Sequence, residues 1–212
     1  MERSNLDNIL DRLDAKYPDA HCELDFGSPF QLLVAVILSA QCTDKRVNIV
    51  TETLFKRAST PKDFAEMPIE ELESLIRSCG FYHNKARNIK NMSIDLLTRF
   101  GGEVPSGFDD LLSLAGVGRK TANVVSGVAF GGDGIAVDTH VFRVSRRLGL
   151  SSGKTPYDVE KDLTAQIEPQ MRNRAHHLFI FHGRYCCKSQ CPECGNCPVT
   201  EYCASIGGRA ED

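Results

Sequence analysis

The sequence predicts an all-α fold, and three observations support this prediction. Three segments share one helix start signal, a Ser or Thr followed by Pro, at Ser28-Pro29, Thr60-Pro61 and Thr155-Pro156. Apolar residues recur at steps of three and four after Asn84, as on one face of a helix, until Gly101-Gly102 stops the pattern. Strand-like alternation is scarce, and no Asn-Gly or Asp-Gly turn joins two alternating runs.

Local sequence signals predict the positions of individual helices along the chain. Gln31 lies at the capping-box spacing from Ser28, and the apolar run 30–40 lacks a polar face, which predicts a helix buried on most sides. Cys79-Gly80 ends the helix that precedes the one beginning near Asn84. Two further helices are expected at about 108–113 and about 119–130.

Composition narrows the class of protein. The chain has 212 residues, of which 42% are hydrophobic and 25% charged, as in an ordinary globular protein. The acidic N-terminus resembles neither a signal nor a transit peptide, and the apolar run 30–40 is too short to span a bilayer. We therefore expect a cytoplasmic protein with no membrane partner.

The charge distribution leaves two interpretations open. A net charge of −3 argues mildly against nucleic acid as a partner. The segments 77–99 and 116–147, however, carry local charges of +4 and +3. These are either solvated helix faces or patches that bind phosphates on an otherwise acidic molecule.

The segment 111–125 is typical of two helices joined by a tight Gly116-Val117-Gly118 turn. Free N–H groups at the start of the second helix favour anions, so such a turn can hold a DNA phosphate without reading a base. We expect Val117 at an exposed tip. Lys120 lies at the helix end where the positive field disfavours an ammonium, and a neutral lysine amine is a nucleophile. A ligand-free turn with a surface lysine is the alternative.

Asp138 precedes another expected helix and reads as its N-cap. A capping carboxylate stays ionised, so the same residue could stabilise positive charge that develops on a sugar. His140 is either a phosphate contact or a helix-surface residue. His176, His177 and His182 lack metal-binding spacing and are expected to be structural or surface residues.

The cysteines indicate a metal site. Six of the nine lie between 186 and 203, and the odd count without a secretory signal argues against a disulfide framework. Four of them have the spacing C-x6-C-x2-C-x5-C: Cys187, Cys194, Cys197 and Cys203. Four thiolates suit zinc or an iron–sulfur cluster. Cys186 and Cys191 are surplus, and Cys191 offers a competing register with Cys194 and Cys197.

From about Ser28 to Cys203 the chain resembles the endonuclease III family. The hairpin is similar to the family pattern L-P-G-V-G-R-K-T-A, Val137-Asp138-Thr139-His140 to its catalytic-aspartate segment, and the cysteine spacing to its cluster signature. The resemblance implies a two-lobed helix–hairpin–helix glycosylase fold with duplex DNA in the cleft. It divides the chain into a six-helix barrel domain, 22–132, with the hairpin at about 108–130, and an iron–sulfur domain, 1–21 plus 133–212.

The resemblance also implies an activity. The family removes oxidised pyrimidines from DNA and cleaves the abasic site by β-elimination through a lysine Schiff base. The match puts the nucleophile on Lys120 and the carboxylate that deprotonates it, or stabilises the charged sugar, on Asp138. A 4Fe–4S cluster would be held by Cys187, Cys194, Cys197 and Cys203. We expect a monomer associated with the nucleoid, whose partner is double-stranded DNA with a damaged base or an abasic site.

The resemblance also implies which residues of this chain contact DNA, because they match the family's motifs position by position. Gln41 and Phe81 align with the family's L-S-A-Q and G-hydrophobic-Y-x-x-K-A segments, whose residues fill the gap left by an extruded base. The hairpin contacts fall on Gly116, Val117, Gly118 and Arg119, with His140 as a further contact.

Two positions depart from the family pattern. Ala115 stands where the family has Pro, which should loosen the hairpin slightly. The loop 188–193 has one base and one acid where the family's loop is strongly basic, so its DNA contact is in doubt.

Three rival functions remain open. They are a glycosylase of the same fold with another substrate, a non-catalytic DNA-binding module and a zinc-bound structural protein. Lys120 disfavours the adenine-mismatch glycosylases, which lack a lysine at this position.

Overall fold

A computed structural model describes residues 4–206, and within this range the fold is all-α, as predicted. No β-strand occurs among these residues. The helices, in chain order, are α1 (Asn5–Lys16), α2 (Pro29–Ser39), α3 (Asp44–Arg57), α4 (Pro61–Glu66), α5 (Ile69–Ile76), α6 (Tyr82–Arg99), α7 (Phe108–Leu112), α8 (Arg119–Phe130), α9 (Thr139–Arg147), α10 (Pro156–Gln166) and α11 (Pro169–Tyr185). None of them is both long enough and apolar enough to cross a membrane.

The predicted helix starts lie where expected. The Ser28, Thr60 and Thr155 side chains accept hydrogen bonds from the backbone N–H of the third residue of α2, α4 and α10, and Pro occupies the first helical position. The capping box expected at α2 does not close. The Gln31 Oε1 atom accepts a 2.6 Å bond from the Gly27 N–H instead of the Ser28 N–H, so the side chain caps the residue before the N-cap.

The chain divides into two compact units. One is Glu23–Gly132, which contains α2 to α8; the other combines the chain up to Cys22 with the chain from Asp133 onward, and contains α1, α9, α10 and α11. In the second unit, α1 and α9 pack against α11. The core there includes Ile9, Leu13, Val144 and Phe179, each at most 1% exposed.

The Glu23–Gly132 unit is built around α2. Residues 32–38 of this helix are all buried, as its lack of a polar face predicted, and α2 packs against α3, α6 and α8. The Phe30 and Phe64 rings meet edge to face with centroids 5.3 Å apart. Removing these apolar surfaces from water supplies most of the favourable free energy of folding.

Lys85, in the first turn of α6, is buried in this unit. Its ammonium donates to the carbonyls of Leu38 (2.8 Å), Ala40 (2.7 Å) and Cys79 (2.6 Å). Burial lowers the pKa of this ammonium, against the opposing influence of nearby thiols. Three carbonyl bonds use all three donors of the ammonium and satisfy it. We call this arrangement the Lys85 tie.

The tie changes the interpretation of the local +4 charge in 77–99. Lys85 is buried, and Lys90 donates to the carbonyls of Ala65 (2.7 Å) and Met67 (2.6 Å) at the C-terminus of α4. Two of the five cations in this segment therefore hold the fold together. The basic surface here is weaker than the sequence suggested.

Replacing Lys85 with Met should destabilise the protein by about 3 kcal/mol, because three buried carbonyls lose a charged donor. Urea unfolding of the holoprotein measures the change. Lys62→Met is the matched control: Lys62 faces Glu66 at 3.8 Å on an exposed helix face, so its loss should cost less than about 0.5 kcal/mol. Equal stability of the two variants would mean that the tie contributes nothing.

Candidate active site and metal centre

The hairpin lies between α7 and α8, as predicted. Gly116 has a φ of +75°, and a Cβ added there would stand 2.6 Å from the Cβ of Asn88 on α6. Only glycine meets both conditions, because a side chain would be strained by the φ and would collide with its neighbour. Gly118 differs, since its φ is −92° and a Cβ there would meet nothing within 4 Å. The space beside Gly118 is therefore open to a ligand.

The position of Val117 differs from the expected exposed tip. Its side chain is 7% exposed, and its N–H donates to the Leu114 carbonyl at 3.2 Å. The inward position removes this apolar side chain from water, which is favourable. Val117 thus anchors the hairpin, and its side chain is not presented to a partner.

The start of α8 carries the two basic residues of the motif. No side chain caps this helix, and its first turn contains no acid. The Arg119 guanidinium stacks on the Phe108 ring, 4.9 Å from its centroid, and so links α8 to α7. Lys120 is exposed in the first turn. The helix end thus combines outward N–H groups with an exposed primary amine, as an anion-binding helix N-terminus requires.

Asp138 is the N-cap of α9, as predicted. Its Oδ1 accepts 2.8 Å bonds from the N–H groups of both His140 and Val141. The cap uses only this oxygen of the carboxylate.

His140 is partly buried rather than a free surface residue. Its Nδ1 lies 3.3 Å from the Arg143 guanidinium, and a Cβ added at Gly183 would stand 2.9 Å from its Cβ. α9 therefore lies close against α11 at this point, and Gly183 makes room for the imidazole. Lys120 belongs to the Glu23–Gly132 unit, and Asp138 belongs to the other unit.

Gln41 and Phe81 are both exposed residues with left-handed backbones. Gln41 has a φ of +53° and follows the end of α2; Phe81 has a φ of +46°, and 65% of it is exposed. Left-handed φ is uncommon for residues other than glycine and costs free energy, so it points to a functional constraint. Core packing, the alternative for Phe81, is excluded by its exposure.

Both loops meet at the Lys85 tie. The Ala40 carbonyl, directly before Gln41, and the Cys79 carbonyl, two residues before Phe81, bind the same ammonium. The tie thus sets the positions of both exposed side chains within the Glu23–Gly132 unit.

The cysteine cluster lines one cavity of about 1210 Å³. Cys187, Cys194, Cys197 and Cys203 all line it, together with Cys186, His182 and three arginines of α9. Arg147 donates to the Lys188 carbonyl at 2.7 Å and approaches the Cys187 sulfur at 3.5 Å; Arg143 donates to the Cys187 carbonyl at 3.1 Å. Thiolates gathered beside guanidinium groups suit a metal group with net negative charge.

His182 and Cys186 lie closer to the cluster than the sequence suggested. The ligand atoms of His182, Cys186 and Cys197 are all within 4.8 Å of one another, and His182 Nε2 is 3.7 Å from the Cys197 sulfur. His182 is buried, as expected of a structural residue, but it lies among cysteine donors that the spacing of the histidines did not indicate. The four-residue spacing places His182 beside Cys186, but nothing in the sequence brings Cys197 to them.

The protonation state of the cysteine thiols in this donor set depends on whether a metal is bound. Burial and then the neighbouring Cys197 thiol raise the pKa of Cys186 to about 12, and burial also raises the pKa of Cys203. A bound metal reverses this effect, because it removes the proton from a coordinating thiol. The cysteine cluster is a candidate metal site.

Comparison with known proteins shows to which class of protein this chain belongs. Residues 34–169 match the model of the HhH-GPD superfamily base excision DNA repair proteins. The endonuclease III of Bacillus subtilis is 50% identical over 195 residues, covering 92% of this chain and 89% of that protein.

Two solved structures agree with this assignment. One is a trapped endonuclease III–DNA covalent intermediate in an estranged-adenine complex, with 50% identity and a TM-score of 0.91 over 96% of this chain and 97% of the other. The second is a non-covalent endonuclease III–DNA complex, with 49% identity and a TM-score of 0.91 over 96% of each chain. The chain belongs to the endonuclease III family.

Gly116→Ala should destabilise the protein by about 2 kcal/mol, because alanine at positive φ is strained and its Cβ collides with Asn88. Gly118→Ala is the matched control, and its stability should stay within about 0.5 kcal/mol of the wild type. Urea unfolding compares the two. A Gly116→Ala variant as stable as Gly118→Ala would show that the turn tolerates a side chain at both glycines.

Proposed function

We propose that this protein is a DNA glycosylase and abasic-site lyase that removes oxidised pyrimidines from duplex DNA. The observation that carries the proposal is an exposed primary amine, Lys120, at an uncapped helix N-terminus in a chain 50% identical to a protein trapped covalently on DNA. Such an enzyme would act in the cytoplasm, on the nucleoid.

Lys120 supplies the nucleophile. Its neutral amine attacks C1′ of the damaged nucleotide, and the base leaves with the electron pair of the glycosidic bond. The attached nitrogen then carries two protons and gives up one of them. The C1′–O4′ bond breaks as O4′ takes up a proton, and a protonated Schiff base forms. This group acidifies C2′, so removal of a C2′ proton forms the C2′–C3′ double bond and expels the 3′ phosphate. Water then hydrolyses the Schiff base and restores Lys120.

Asp138 supplies a fixed negative charge. Its Oδ1 is held by two backbone N–H groups, which orient the carboxylate without neutralising it. We assign it the removal of the lysine proton or the stabilisation of the positive sugar.

The DNA is held by backbone groups and opened by two side chains. The start of α8, at Gly118 and Arg119, would bind a phosphate, with His140 as a further contact beside Arg143. Gln41 and Phe81 would enter the space vacated by the extruded nucleotide. The amide of Gln41 can pair with the orphaned base, and the Phe81 ring can stack between bases.

The metal site would hold a 4Fe–4S cluster on Cys187, Cys194, Cys197 and Cys203. All four line one cavity with cationic neighbours, which suits an anionic cluster. When bound, the cluster supplies a covalent fastening for residues 187–203. Arg143 and Arg147 hold the start of this loop through carbonyls. We further propose that the Glu23–Gly132 unit is the six-helix barrel domain and the other unit the cluster domain.

Borohydride should trap the wild-type protein on duplex DNA that contains an abasic site, because it reduces the Schiff base to a stable amine. Lys120→Ala should give no trapped complex. Lys56→Ala, which changes another exposed lysine on a helix, should be trapped like the wild type. Gel shift after denaturation measures the complex. Trapping of the Lys120→Ala variant would remove this lysine from the mechanism.

Replacing Asp138 with Asn should separate its proposed catalytic role from its role as the N-cap of α9. Asparagine caps helices as well as aspartate, so stability should change by less than about 0.5 kcal/mol, whereas Asp138→Ala should lose about 1 kcal/mol. Both should slow base excision roughly 100-fold, because both remove the charge. Single-turnover kinetics and urea unfolding give the two readouts. A fully active Asn variant would leave Asp138 with the capping role alone.

Substitutions of the adjacent residues Cys186 and Cys187 test the proposed set of cluster ligands. The purified protein should contain about four iron atoms per chain and show broad visible absorption. Cys187→Ser should lose the iron, whereas Cys186→Ser should retain it; metal analysis of both variants measures this. The reverse result, or zinc in place of iron, would favour a site on His182, Cys186 and Cys197.

A further inference from the structure

Two cysteines outside the cluster lie beside the exposed loops. Cys42 directly follows Gln41, and Cys79 stands two residues before Phe81. Both belong to the Glu23–Gly132 unit, and neither has a role in the proposed reaction. Cys42 is partly exposed, whereas Cys79 is 1% exposed.

The structure brings the two thiols together. The Cys42 thiol is near enough to Cys79 to contribute to the raised pKa of the Cys79 thiol. The backbone supports this proximity independently, since the Lys85 ammonium binds the carbonyls of Ala40 and Cys79 at 2.7 and 2.6 Å. The Cys42 N–H also donates to the Ser39 carbonyl at 3.0 Å, so the chain turns back sharply here.

Both cysteines are free thiols. Burial, and then the neighbouring Cys42, raise the pKa of Cys79 to about 11. A reaction must therefore begin at Cys42, the thiol that solvent can reach. Cys79, whose carbonyl binds the same ammonium as the Ala40 carbonyl, is the partner for a second step.

We propose that Cys42 and Cys79 form a reversible disulfide that fastens the Gln41 loop to the Phe81 loop. A peroxide is the oxidant. The Cys42 sulfur attacks one peroxide oxygen, the O–O bond breaks, and a sulfenic acid and water form. The Cys79 sulfur then attacks Cys42, its proton leaves with the sulfenic hydroxyl as a second water, and the S–S bond forms. Two electrons from a dithiol reverse the reaction.

The disulfide restrains both loops. The Lys85 tie holds their carbonyls, but hydrogen bonds allow small displacements that a covalent bond does not. Gln41 and Phe81 have left-handed backbones, at φ +53° and +46°, so each loop has little freedom to adjust elsewhere. This consequence rests on the proposed role of both side chains in DNA.

Peptide mapping tests the disulfide by itself. The holoprotein is treated with hydrogen peroxide, denatured, alkylated and digested with trypsin. Cys79 lies alone in its tryptic peptide, 78–85, whereas Cys42 shares the peptide 17–45 with Cys22. We expect a cross-linked peptide pair, two hydrogens lighter than the sum of its parts, that a dithiol separates.

Single substitutions identify the bond. Cys22→Ser should retain the cross-link, whereas Cys42→Ser and Cys79→Ser should each abolish it. These three variants distinguish the proposed pair from a Cys22–Cys79 bond. Complete alkylation of Cys42 and Cys79 after peroxide treatment would overturn the proposal.

Base excision tests the consequence. Oxidised wild-type protein should cleave lesion-containing duplex about tenfold more slowly than reduced protein, since small displacements of positioning groups have effects of this size, and a dithiol should restore the rate. Oxidised Cys42→Ser should keep its full rate, which also controls for damage to the metal site. A cross-link without any change in rate would contradict the restraint of the loops. Inactivity of the reduced protein would instead count against the proposed function.

Discussion

The Glu23–Gly132 unit depends on the hydrogen bonds that the buried Lys85 ammonium makes. A charge removed from water is costly unless its donors are satisfied, and here three main-chain carbonyls satisfy all of them. These carbonyls come from two separate stretches of chain, the end of α2 and the turn before α6. One side chain therefore fixes where both stretches end.

The exposed residues of the unit follow from this constraint. The chain must leave the tie abruptly on both sides, and Gln41 and Phe81 do so with left-handed backbones. Their side chains then stand in solvent, although a phenylalanine 65% exposed loses the gain from burial. Such unfavourable features persist only when the surrounding structure holds them. In this chain the surrounding structure is the tie, together with the packed helices α2, α3 and α6.

Basic residues serve the structure as well as the proposed contact with DNA. Lys85 and Lys90 bind carbonyls inside the fold, and Arg143 and Arg147 hold the backbone beside the cysteine cluster. The net charge of −3 is thus no measure of the charge offered to a phosphate backbone. The start of α8 offers N–H groups and two basic residues, and its first turn contains no acidic residue. This local arrangement matters more for phosphate binding than the overall charge.

Features that depend only on neighbouring residues could be predicted before any coordinates were known. The Ser/Thr-Pro starts, the buried α2, the Asp138 cap and the glycine hairpin were all predictable, because caps, helical periodicity and positive φ are local properties. The remaining features come from the tertiary structure, which brings distant chain segments into contact. It buried Val117, turned the Gln31 amide to Gly27, withdrew Lys85 from the surface, and joined His182 to the cysteines and Cys42 to Cys79. Each of these depends on which distant chain segment fills the adjacent space, and a one-dimensional pattern does not contain that information.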